Sequence, residues 1–134
     1  MGEIDVLEGV HKTSTNKMTL HTSPSCIVSF GDMGETPDLA DCQSSGSDNQ
    51  GCGVLDKKDP ISYGEGFNNA GGGGHVHVWT KDAIKIWHFS RANISADIIA
   101  GDPDPTTWGT PKGSFAAGEG CGKVAAFPEP RLND

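Results

Sequence analysis

Apolar and polar residues alternate with a period of two in several short runs of this chain. The runs are Glu3–Glu8 and residues 17–22, 26–30, 74–80, 83–89 and 113–117. A period of two points successive side chains to opposite faces, so each run predicts a half-buried strand. Val76 and Val78 alternate with His75, His77 and Trp79, and Ile84 and Ile86 alternate with Lys85, Trp87 and Phe89. With Lys81-Asp82 as the turn between them, this predicts a hairpin with one aliphatic and one aromatic face. A sheet with apolar side chains on both faces must be covered on both, which points to a sandwich. Residues 31–69 read as one long loop, with Pro37, Pro60 and the polar run at residues 44–49, tied down by Cys42 and Cys52 as a cleft wall or surface loop. The glycine run at residues 71–74 reads as a turn into a strand, and residues 118–123 lack the spacing of a phosphate loop and read as a turn.

Composition sharpens this to a class. A chain of 134 residues, 34% apolar, is long enough for one domain with a core. Its 19 glycines and 8 prolines leave little room for long helices, so the expected class is all-β. A net charge of -8 repels phosphate backbones and anionic lipid, so no nucleic-acid partner and no membrane partner is expected, whereas a neutral polymer meets no such penalty. No stretch approaches the ~20 apolar residues of a membrane span, and the first residues lack the basic and apolar regions of a signal peptide. Cys26, Cys42, Cys52 and Cys121 lack histidines at zinc-finger spacing and point to disulfides in an oxidising compartment, with three pairings open. The triplet Asn93-Ile94-Ser95 is a glycosylation sequon and points the same way.

The candidate chemistry lies in Glu3-Ile4-Asp5-Val6-Leu7-Glu8. On a regular strand Ile4 and Val6 face the core and Glu3 and Asp5 face away, but Glu8 then falls on the core side. One extra residue at Val6-Leu7, a β-bulge, returns Glu8 to the polar face. Glu3 and Glu8 are then about 13 to 14 Å apart at Cα. Long side chains leaning together can bring the carboxyls to ~5 to 5.5 Å, the spacing at which one attacks a sugar and the other protonates the leaving oxygen with retention of configuration. Taken alone, the hexamer fits a solvated acidic edge strand equally well.

The neighbourhood tips that balance. Gly2-Glu-Ile-Asp-Val-Leu-Glu-Gly-Val-His11 followed by Met18-Thr-Leu-His-Thr-Ser-Pro24 resembles the catalytic strand, and the strand after it, of fungal glycoside hydrolase family 16 endo-1,3(4)-β-glucanases, which are laminarinase-like enzymes. The likeness continues through Ser45 to Gly53, Ser62 to Asn68, Ile84 to Trp87 and Ala96 to Pro111, most of the chain. It implies an antiparallel β-jelly-roll sandwich, concanavalin-like, with residues 1–134 as an incomplete copy of the catalytic domain. It further implies a secreted protein, monomeric at full length, acting on β-1,3 or mixed β-1,3/1,4 glucan by double displacement without a cofactor. By the same motif Glu3 matches the nucleophile, Glu8 the acid/base, and Asp5 the residue that orients the nucleophile. His21 matches a cleft histidine near the leaving side, and its parity agrees, since Met18 and Leu20 face the core. Trp108, between Pro105 and Pro111, is the best candidate for a platform on which a sugar ring stacks. Trp79 and Trp87 read as core or inter-sheet residues. His75 and His77 have metal-like spacing, but no third ligand is apparent and no metal is expected. The family domain extends beyond both ends of this chain, so the alternative is a non-catalytic glucan-binding or vestigial product of a truncated gene.

Overall fold

The computed structural model of the chain describes residues 2–45 and 47–118. Two antiparallel sheets of four strands each form a sandwich. The first runs β1 (Glu3–Glu8), β2 (Lys17–His21), β5 (Cys52–Leu55), β4 (Thr36–Pro37); the second runs β3 (Ser29–Phe30), β8 (Gly113–Ala116), β7 (Ala83–Ser90), β6 (Gly73–Trp79). Met18, Leu20 and Val54 from the first sheet meet Ile84, Ile86 and Phe115 from the second in one buried core, with Ile4 and Val6 packed against it. This is the all-β antiparallel sandwich that the alternation predicts. No helix among the described residues is long and apolar enough to cross a membrane.

Several sequence expectations need correction. The stretch at residues 31–69 is not one loop: it holds β4, the buried β5 and the short helix α1 (Gly64–Asn69). A second short helix, α2 (Ala96–Ala100), follows β7. β5 escapes a pattern search because Cys-Gly-Val-Leu is brief and buried on both faces, which removes the alternation. In residues 26–30 only Ser29–Phe30 pair as a strand, with Ile27 in an isolated bridge to Asp41. Cys42 and Cys52 form a disulfide, whereas Cys121 lies outside the described residues.

The hairpin of β6 and β7 turns through Lys81-Asp82 as expected, but its faces are mixed. Trp79 pairs with Ile84, His77 with Ile86 and His75 with His88, while Val76 pairs with Trp87 and Val78 with Lys85. Cross-strand partners share a face, and a two-residue turn pairs odd positions of one strand with even positions of the other. Ile84 and Ile86 therefore face the core beside Trp79, which packs against it, and Trp87 lies on the outer face, where it is buried by the segment that follows α2.

Candidate active site

β1 and β2 pair in regular register from Glu3–His21 to Asp5–Thr19, then slip by one residue, so that Glu8 pairs with Lys17. The slip is the bulge that the parity argument requires between Asp5 and Glu8. It leaves Leu7 pointing out, 53% exposed, and keeps Ile4 and Val6 against the core.

A bulge leaves backbone groups without ladder partners. Here the fully buried Asn16 supplies them: its Nδ2 donates to the Val6 carbonyl at 2.8 Å and its Oδ1 accepts from the Glu8 N–H at 3.0 Å. Asn16 is itself held, since its N–H donates to Ser62 Oγ at 3.1 Å and its carbonyl accepts from the Asp56 N–H at 2.9 Å. One side-chain amide thus mimics a strand segment across the bulge and fixes where Glu8 leaves the backbone.

The three acids share a face. Asp5 sits opposite Thr19, and the buried Thr19 hydroxyl donates to Glu8 Oε2. Glu3 sits opposite His21, whose Nε2 lies 3.2 Å from Asp5 Oδ2. Glu3 and His21 line an open groove together with Gly2, Thr22, Ser44 and Asn49. Glu3, Asp5, Glu8 and His21 are therefore gathered on the solvent side of the first sheet, each on a paired strand, which is a more rigid support than a loop. Thr19 and Asn16 are site residues that sequence reading missed. Thr19 was visible only as a polar residue on the site's face, and Asn16 sits in a polar run that reads as a turn.

Trp108 is not brought to this face. Its ring packs edge-on against Trp87 at 5.3 Å and Phe89 at 5.8 Å, on the side of β7 opposite Ile84 and Ile86. Its Nε1 donates to Asp97 Oδ2 at 2.7 Å, and the Trp87 Nε1 donates to the Gly109 carbonyl at 3.1 Å. The Ser95 hydroxyl, with the Asp104 N–H and the Trp108 indole, holds the Asp97 carboxyl well below the usual carboxylate range, so Trp108 is anchored to a fixed charge. The acids occupy the outer face of one sheet and Trp108 the outer face of the other. The loop between Pro105 and Pro111 folds over the second sheet, so the structure does not bring Trp108 together with Glu3, Asp5 and Glu8.

A second polar cluster links the sheets. Asp59 Oδ2 lies 2.8 Å from His88 Nδ1 and 3.2 Å from Lys112 Nζ, and Lys112 is 3.8 Å from the buried Asp56 Oδ1. Asp56, Asp59 and His88 could offer atoms within 4.8 Å of one another to a metal ion, but the Lys112 ammonium already supplies a positive charge between the two carboxylates. Burial pushes Asp56 up to about 7 against the pull of Lys112, and burial beside His88 pushes His75 down to about 4. Burial also opposes the charge on Asp59, but hydrogen bonds from His88 and Lys112 outweigh it and lower its value.

The family model for the XgeA-like catalytic domain of glycoside hydrolase family 16 matches residues 1–132. The chain belongs to glycoside hydrolase family 16. Among relatives in this family, an endo-1,3(4)-β-glucanase of Arthroderma benhamiae is 41% identical over 122 residues, 88% of this chain and 27% of that protein. A probable endo-1,3(4)-β-glucanase of Neosartorya fischeri is 46% identical over 112 residues, 82% of this chain and 17% of that protein. Of solved family 16 structures, laminarinase 16A from Phanerochaete chrysosporium, with β-glucans in its donor and acceptor sites, superposes with a TM-score of 0.83 at 34% identity, covering 94% of this chain and 43% of that one. An elongating family 16 β-1,3-glucosyltransferase gives 0.79 at 39% identity, covering 91% and 40%. The chain thus spans about a quarter or less of the two relatives named and under half of either solved structure.

Proposed function

We propose that this chain carries the catalytic strand of a retaining endo-β-glucanase acting on β-1,3 or mixed β-1,3/1,4 glucan. The observation that carries the reading is the bulge in β1, which puts Glu3, Asp5 and Glu8 on one face where a regular strand would bury Glu8. Glu3 attacks the anomeric carbon as a carboxylate, while Glu8 gives its proton to the leaving oxygen and then takes one from water. Asp5, between them, orients Glu3 and shares the local charge. The disulfide between Cys42 and Cys52 supports an extracellular setting.

A second outcome has its own support. A covalent glycosyl-enzyme can be released to a sugar hydroxyl as well as to water, and one of the similar structures is a glucosyltransferase. Product analysis separates the two, since hydrolysis gives only shorter oligosaccharides and transfer gives some that are longer than the substrate.

The decisive measurement is reducing-end release from laminarin and barley β-glucan by the wild type and by Glu3→Gln and Glu8→Gln. Both variants should lose turnover of the unactivated polymer, because an amide can neither attack nor donate the proton. Azide added to Glu8→Ala with an activated aryl glycoside should yield a glycosyl azide of retained configuration. Near-normal polymer hydrolysis by either glutamine variant would sink the role assignment.

A further inference from the structure

His21 is gripped from two directions. Its side chain is 12% exposed, with Nε2 3.2 Å from Asp5 Oδ2 and Nδ1 2.8 Å from Ser44 Oγ. On the Nδ1 side the ring also touches backbone. A Cβ at Gly51 would lie 2.7 Å from Nδ1 and 2.9 Å from Cε1, and the same residue, at φ +64, would bring it 2.7 Å from the Leu20 carbonyl. Ser44 and Gly51 flank the disulfide, two residues after Cys42 and one before Cys52. The flanks are stitched to β2 as well: the Ser44 N–H donates to the Thr22 carbonyl at 3.0 Å, the Thr22 N–H to the Cys42 carbonyl at 2.7 Å, and Cys52 pairs with Leu20.

We infer that Ser44 and Gly51, pinned by the Cys42–Cys52 bond, are positioning residues that hold the His21 ring in one orientation and one tautomer, with its Nε2–H on Asp5. An ionised carboxylate only accepts, so the nitrogen facing Asp5 carries the hydrogen. In the neutral ring the other nitrogen is then an acceptor, and the Ser44 hydroxyl supplies its donor. Asp5 is thereby fixed from the side away from Glu8. This fixing matters to catalysis through the role given to Asp5 above, whereas the tautomer stands or falls independently of any activity.

The first test reads the ring itself. Long-range proton–nitrogen NMR of the chain with nitrogen-labelled histidine should show His21 as a single Nε2–H tautomer at neutral pH. Ser44→Ala should leave a mixture of tautomers, Ser44→Thr should restore the single form, and Gly51→Ala should displace the His21 signals, since its Cβ would crowd the ring and the Leu20 carbonyl at a left-handed φ. His75 and His88, stacked at 4.7 Å in the second sheet, serve as internal controls for folding. If Ser44→Ala loses their dispersion, Gly51→Ala and the Cys42→Ser/Cys52→Ser pair decide, both being expected to shift His21 and not His75 or His88. An Nδ1–H tautomer in the wild type, or His21 signals indifferent to these changes in a folded chain, would overturn the inference. The second test is kinetic: Ser44→Ala should lower kcat about tenfold with KM little changed, the mark of lost positioning, and Ser44→Thr should recover it. An unchanged kcat beside a lost tautomer would overturn the positioning role. A wild type with no turnover counts against the functional reading only, and the NMR then decides this one.

Discussion

Thr19 offers a hydroxyl that solvent barely reaches, and it donates that hydroxyl to Glu8 Oε2. A hydrogen bond contributes about 0.5 to 1.5 kcal/mol, so replacing Thr19 with the near-isosteric valine should lower kcat/KM by roughly threefold to tenfold while leaving the fold intact. Steady-state kinetics alongside a thermal melt would check this, and equal kcat/KM in the two proteins would show that the contact does not steer Glu8. At this scale the acids were legible and their supports were not. Glu3, Asp5 and Glu8 announce themselves by alternating with Ile4 and Val6, and the broken parity at Glu8 is itself the signal for the bulge. Thr19 and Asn16 give no such signal, because their value lies in partners 11 residues away for Thr19 and up to 46 residues away for Asn16.

The bulged β1 is an element held by one foreign side chain. Asn16→Ala would strand the Val6 carbonyl and the Glu8 N–H inside the sheet, while the backbone N–H of residue 16 keeps its bond to Ser62. Each unmet buried group costs about 1 to 3 kcal/mol, so the variant should unfold at clearly lower urea than the wild type, with turnover reduced even where the chain remains folded. Leu7→Ala, which touches the exposed residue of the same bulge, should stay within about 0.5 kcal/mol of wild type. Equal losses from the two would show that the bulge holds itself without Asn16. The strands β1, β2 and β7 were readable because apolar side chains recur at every second residue of their sequence, although the middle of β2 is buried on both faces. β5 was not, since Cys-Gly-Val-Leu is only four residues long and has no polar side chain to alternate. The faces of the β6–β7 hairpin went wrong for a different reason. Parity must be carried across the turn, and Lys81-Asp82 pairs Trp79 with Ile84.

Across the whole molecule, Asp56, just past β5 of the first sheet, reaches toward Lys112, just before β8 of the second. Burial raises Asp56 to about 7 in the folded chain, against roughly 4 when unfolded. A raised carboxyl binds its proton more tightly in the folded state, so its stabilising contribution is present at low pH and is lost as pH rises through about 7. Asp56→Asn should therefore raise the melting temperature relative to wild type more at pH 8.5 than at pH 5, and a difference that does not vary with pH would refute the assignment. His75 works in the opposite sense. Lowered to about 4, its contribution is present above its unfolded value and is lost as pH falls. The two trends offset each other in mildly acidic solution. The sandwich also has an optical consequence. Trp79 and Trp87 belong to the second sheet, Trp108 packs on it, and these are all the tryptophans the chain has. Intrinsic fluorescence will then report chiefly on that sheet and the core it shares, and a ligand held at Glu3 and Glu8 on the outer face of the other sheet should leave it unchanged. If that site takes glucan, a titration followed by tryptophan emission should show no change where one followed by calorimetry shows binding, and a quenched or shifted emission would place a tryptophan at the sugar.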